Sequence, residues 1–396
     1  MAMHPKAALI IIISCLICLL GVGPVQAASE EKDEEVFSLQ DTIGSLDMEF
    51  LDGYKKQLDS EMASYLEGNT VQDWISNFIK GEWDFDLKNL GGDLLRMLFK
   101  EVVANTSLLA KLLILTVISA LLINLQSAFS SDVARISYLA CFLALCAIAI
   151  SSFKLVLGVG QETIENMLTF MIGMLPQMLV LTAGLGNINA SVMLFPLLMT
   201  ASTAFANAIN IIVFPLILMS AILSIVNHMS ETIKIDKMAK FFYEMARISL
   251  GFFLTLFVGL MTLRALYASV LDKVALRTTR YVSDNAIPVI GKMFSDTIEV
   301  AAGYVVMLKQ ALSIFGVLII LGLILMPLIK IAAIALIYKA ASAIAEPLGD
   351  SRTASILESM SAHLFFMLAA VIAVALMFFI MIAIVAGMYN GWAMLK

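Results

Sequence analysis

The sequence predicts an all-α, polytopic membrane protein with a small exported helical head and a possible duplication in its membrane body. Three observations predict it. Hydrophobic residues make up 61% of the chain and charged ones 14%, with a mean hydropathy of +0.94, where soluble domains carry about 25% charged residues. Several uncharged runs are as long as, or longer than, the ~20 residues that cross a bilayer as a helix. Charge is also segregated: residues 28–107 hold 18 Asp/Glu against 7 Lys/Arg, a net of −11, while the rest after that point is net +4. An acidic head excludes nucleic acid as a partner, which needs clustered basic residues.

Residues 1–27 read as a secretory signal, with Lys6, an apolar run to Val22, a Gly-Val-Gly-Pro break and Val25-Gln26-Ala27 as a small-residue cleavage site. The head, 28–107, then lies on the exported side. Leu51, Tyr54, Leu58, Met62 and Tyr65 recur at helical spacing, as do Leu87, Leu90, Leu94, Leu98 and Val102 on the approach to the membrane. The head has no cysteine, so packing alone holds it together.

Residues 108–160 form a predicted transmembrane hairpin, with crossings at Leu112–Ser131 and Ile136–Phe153. Residues 166–230 then run 65 positions without Asp, Glu, Lys or Arg. As one helix they would reach about 98 Å, roughly three hydrocarbon cores, so the chain must fold back. Pro176, the Gly184-Leu-Gly186 stretch, Pro196 and Pro215 are the natural break points, and Pro288 and Pro327 mark equivalent ones further on.

Those prolines outline an internal repeat. Pro176 matches Pro288 and Pro215 matches Pro327 at an offset of 112, and Asp236 and Glu244 match Asp350 and Glu358 at an offset of 114. The copies span 161–276 and 277–396, each running proline-broken segment, long apolar segment, polar loop and closing helix. The copies differ in polarity: Lys292, Asp296 and Glu299 in the second stand opposite Val180, Gly184 and Asn187 in the first. Repeated halves are common in proteins that move solutes through membranes.

Lys292, Asp296 and Glu299 fall at i, i+4 and i+7, on one face of a helix whose other face is apolar. Two readings are open: a helix lying in the interface with its charges among headgroups, or a segment facing a hydrated passage. Lys309 and Lys330 are 21 residues apart, about 31 Å of helix, which suits snorkelling at opposite membrane faces. Topology has two solutions as well, placing either the His228–Arg247 loop or the Arg264–Lys292 loop in the cytoplasm, and five Lys/Arg favour the second.

Metalloprotease, nucleophile-elbow and phosphate-loop motifs are missing from the sequence. His228 and His363 are isolated in it, and Leu348-Gly349-Asp350 is similar to an intramembrane-protease aspartate motif with Pro347 in place of its first glycine. The expectation is a protein that is not an enzyme and uses no cofactor or metal.

The segment Pro288-Val-Ile-Gly-Lys-Met-Phe-Ser-Asp-Thr-Ile-Glu, leading through Leu308-Lys309 to Met326-Pro327-Leu328-Ile329-Lys330, resembles the stage III sporulation protein AE family. The order of leader, acidic head and polytopic body resembles it too. The resemblance implies a protein of the mother-cell membrane around the forespore. It also implies partners: other products of the stage III sporulation operon, including a secretion-type ATPase and ring-forming bitopic proteins, with stage II sporulation protein Q reached indirectly. The function implied is a component of a channel or secretion-like complex needed for forespore development. A stand-alone secondary transporter with repeated halves is the alternative, and a scaffold whose head recruits partners is a third.

Overall fold

A computed structural model describes residues 87–129, 132–184, 188–229, 235–286 and 290–387, together with Gly53. Side chains of 264–302, and of 87–91, 93, 125–135, 184–190, 193–194 and 229, lie outside that description, as do the leader, most of the head and its aromatics.

Eight α-helices follow in order among the described residues: α1 (Leu87–Ala104), α2 (Thr106–Phe129), α3 (Asp132–Gly184), α4 (Ile188–Ala208), α5 (Phe214–Met229), α6 (Asp236–Ala286), α7 (Ile290–Ala345) and α8 (Ser351–Ala386). A π-helical turn, Ile209–Val213, joins α4 to α5. No strand occurs among the described residues. Among the described residues, six stretches are long and apolar enough to cross a membrane: 106–124, 136–183, 195–228, 236–263, 303–345 and 351–386.

The prolines behave differently from expectation. Pro176 and Pro327 lie inside the unbroken helices α3 and α7, and Pro196 lies inside α4. Each removes one backbone donor, a loss that membrane helices tolerate because neighbouring groups satisfy the freed carbonyl. Pro215 follows directly on the π turn; widening the helix there accommodates the missing N–H and the ring without ending the run. α3 ends at Gly184 and α4 begins at Ile188, with 185–187 outside the described residues. Pro288 lies outside the described residues, between the end of α6 at Ala286 and the start of α7 at Ile290.

Several segments that look separate in sequence are single helices. The hairpin's second crossing does not stop at Phe153 but continues through Lys154, Glu162 and Glu165 to Gly184. The charged amphipathic stretch at 290–301 and the apolar run after it form the single 56-residue helix α7. The two supposed polar loops are also mostly helical: only 230–235 separates α5 from α6, and 264–286 continues α6. The boundaries at 107/108, 160/161 and 276/277 therefore fall inside α2, α3 and α6, so a helix is shared across each. Of the residues assigned to the head, 87–104 form α1, which packs on α7 and α2 of the membrane body.

The core is built around α8. From Leu364 to Ala386 this helix is apolar on all sides, which marks a helix enclosed by others, and it packs against α3, α5, α6 and α7. Leu364, Met367, Ala370, Val371 and Val374 are all buried along it. Gly316 lets α7 approach α3, since a Cβ there would sit 2.0 Å from Cε of Met174. Outward faces of α2 and α6 are apolar, with Ile114, Leu121, Ile248, Phe252 and Leu263 exposed, as lipid contact demands.

Candidate functional site: the buried polar braces

Within a bilayer, buried polar groups must find protein partners because no water is at hand. Three clusters among the described residues do so across helices.

The first centres on Asp350, which is fully buried. The Pro347-Leu348-Gly349 turn ends α7, and Gly349 adopts φ +90°, a conformation in which a Cβ is penalised. Asp350 is thereby placed as the N-cap of α8, accepting from the backbone N–H of Thr353 at 3.0 Å. Its other contacts are tertiary: Ser119 of α2 donates to Oδ2, and the Tyr138 hydroxyl of α3 lies 3.4 Å from Oδ1. One carboxylate thus joins α2, α3 and α8.

The second pairs the hydroxyls of Ser152 on α3 and Tyr338 on α7, the tyrosine fully buried. Beside it, Ser342 donates to the Ala354 carbonyl and Ser361 to the Ala335 carbonyl, both at 2.9 Å, clasping α7 to α8.

The third joins the two histidines that look isolated in sequence. Ser224 and His228 on α5 stand four residues apart, as do Ser359 and His363 on α8. In each pair Nδ1 of the histidine lies 2.7 Å from the serine carbonyl. The serine hydroxyls meet at 2.6 Å, and Ser220, one turn earlier on α5, lies 2.8 Å from Nε2 of His363 and 2.8 Å from the Ala239 carbonyl of α6. The Tyr243 ring of α6 stands edge-on to the imidazole, with centroids 5.3 Å apart.

These pairings also align the helix ends. Ser220 meets His363 while Ser224 meets Ser359, so α5 and α8 run antiparallel, with the last turn of α5 and the 346–350 connection at one end. Tyr138, early in α3, reaches Asp350, which brings the first turns of α3 to that same end.

The residues singled out in the sequence fall elsewhere. Lys292, Asp296 and Glu299 lie on the helical backbone of α7, but their side chains are outside the described residues. Lys309 is 2% exposed and so sits inside the body, whereas snorkelling would bring it to the surface; Lys330 is exposed. Among the described residues no group of three His, Cys, Asp or Glu side chains could hold a metal ion. Sequence reasoning missed the braces because each partner is far away in the chain. Two local signals were present: Ser-x-x-x-His occurs twice, and an aspartate follows a Pro-x-Gly turn at a helix start.

Long apolar helices, lipid-facing outer surfaces and three clusters of polar groups paired across helices define a multi-pass, all-α membrane protein with a cross-braced core. The family model described as stage III sporulation protein AE (spore_III_AE) matches residues 69–388. A curated relative, stage III sporulation protein AE of Bacillus subtilis (strain 168), is 33% identical over 323 residues, covering 81% of this chain and 81% of the relative. The chain belongs to the stage III sporulation protein AE family, a family of sporulation proteins. No solved structure matches it.

Proposed function

We propose that this chain is the membrane platform of a channel or secretion-like complex that links mother cell and forespore and is required for forespore development. The observation that carries the reading is where five polar side chains of the body go. Asp350, Ser152, Tyr338, Ser220 and His363 are engaged with groups on other helices, as in a rigid support. A secondary transporter instead keeps polar groups and broken helices at a midplane site between its repeats, ready for substrate.

In this reading the chain is not an enzyme and needs no cofactor. Its leader is removed, its acidic head lies outside the cytoplasm, and it resides in the mother-cell membrane surrounding the forespore. Its partners are the other stage III operon proteins, the ATPase and ring-forming bitopic proteins among them, with stage II sporulation protein Q engaged indirectly. The test is affinity purification of the full chain from sporulating cells, paired with deletion of its gene. Co-purification of the ATPase and bitopic proteins, with loss of spores on deletion, supports the platform. A chain recovered alone that moves solutes by itself in proteoliposomes makes the transporter reading the right one.

A further inference from the structure

We propose that His363 is a proton-binding site: on taking up a second ring proton it ties α5, α6 and α8 together through Ser220. The argument is a count of hydrogens. The Ser359 carbonyl can only accept, so Nδ1 of His363 carries a hydrogen. In neutral imidazole Nε2 is then bare and must accept from the Ser220 hydroxyl. That hydroxyl has one hydrogen, yet the Ala239 carbonyl, also an acceptor only, lies equally close at 2.8 Å. Three short contacts thus share two hydrogens, so one of the three has none of its own.

A proton added at Nε2 completes the set. Nε2–H donates to Ser220 Oγ, the serine hydrogen swings from the ring to the Ala239 carbonyl, and Nδ1–H stays on Ser359. No other bond changes. A buried cation is tolerable only when its donors are paired; here both are, and the Tyr243 ring at 5.3 Å adds a polarisable neighbour.

Among the ionisable groups on the helices packed against α8, Lys309 of α7 is buried and Lys330 is exposed. On α5 His228 bonds back to its own helix, and α4 carries none. On α3 Lys154, Glu162 and Glu165 are exposed, while Tyr138 faces Asp350. On α7 Tyr338 is bonded to Ser152, and Lys339 pairs with Glu358 of α8 with both side chains more than half exposed. On α6 Glu244 pairs with Arg247 and Asp236 with Lys240, all four exposed, which leaves Tyr243 against the ring. This inference stands apart from the channel reading, since it concerns one residue's protonation.

The chain has three histidines, His4, His228 and His363, so the full protein labelled with nitrogen-15 histidine in lipid nanodiscs gives a readable spectrum. One ring is expected to pass from the Nδ1–H form to the doubly protonated form in the course of an acid titration, and its signals vanish in His363→Gln. In Ser220→Ala, which removes the acceptor for Nε2–H, the change is expected at lower pH by on the order of half to one unit. Should His363→Gln fail to fold, a His4→Gln/His228→Gln double variant leaves His363 as the single histidine. A His363 ring that holds one state throughout the titration, or one indifferent to Ser220→Ala, overturns the proposal.

Discussion

Ser119, midway along α2, donates a hydrogen bond to the carboxylate of Asp350, 231 residues later at the start of α8. The bond makes a local device do tertiary work. An aspartate N-cap satisfies one orphan donor of its own helix; here the remaining lone pairs of the same carboxylate take hydroxyls from the first two membrane helices. The turn that stops α7 therefore also positions α2 and α3.

Asp350→Ala is expected to destabilise the protein by about 2–4 kcal/mol, combining a lost cap of about 1 kcal/mol with hydroxyls left unpaired at about 1–3 kcal/mol. Asp350→Asn keeps an acceptor for Thr353 N–H and should lose less. Denaturant unfolding in detergent measures both. Equal losses for the two variants would mean that the carboxylate is not the tie.

Gly349→Ala forces a Cβ into a backbone with φ +90° and should cost about 1–2 kcal/mol. Gly158→Ala is the control: that glycine is inside α3 with open space where the Cβ would go, so the change should gain about 0.5–1 kcal/mol. The argument fails if the two substitutions behave alike.

Tyr338→Phe and Ser152→Ala each remove one side of a buried hydroxyl pair. Ser152→Ala should cost about 1–3 kcal/mol because the buried Tyr338 hydroxyl is stranded, and Tyr338→Phe less, because the Ser152 hydroxyl keeps the Ile148 and Ala149 carbonyls at 2.9 and 3.1 Å. The double variant should be less destabilised than the two losses added, with a coupling of about 0.5–3 kcal/mol. Simple additivity would show that the hydroxyls do not support one another.

The shared end of α3, α5 and the 346–350 connection gives a topology. If the head lies outside, α2 carries the chain inward, and the start of α3, the end of α5 and the 346–350 connection are expected on the cytoplasmic side. In a background without the four natural cysteines, an impermeant thiol reagent applied to intact cells should label Ser283→Cys and spare Ser230→Cys. This runs against the positive charges of 264–292, whose five Lys/Arg favour the cytoplasm. Labelling at position 230 from outside would reverse the assignment.

Asp296→Lys is expected to impair sporulation while leaving protein level unchanged, if the charged face of 292–299 meets water or partners. Spore counts and immunoblots read the two effects separately. Normal sporulation would sink the hydrated-passage reading and leave the headgroup one.

The all-α membrane class was legible in the chain because lipid demands it locally. Any apolar run of about 20 residues must satisfy its own backbone, and only a helix does so within one segment. The family was legible in the Pro288–Lys330 stretch for a similar reason, since it is contiguous. Where helices end was legible only in part. Pro176 and Pro327 stay inside helices because neighbouring helices relieve the lost hydrogen bond, which a rule for isolated helices does not include. Only the tertiary structure decided that Asp350 braces three helices, that Lys309 is enclosed, and that His228 and His363 belong to one cluster. Their partners lie up to 231 residues away, and a hydroxyl or an imidazole carries no periodic pattern that points to its mate. A sequence fixes what each segment must hide from lipid, whereas packing alone chooses which polar groups meet once they are hidden.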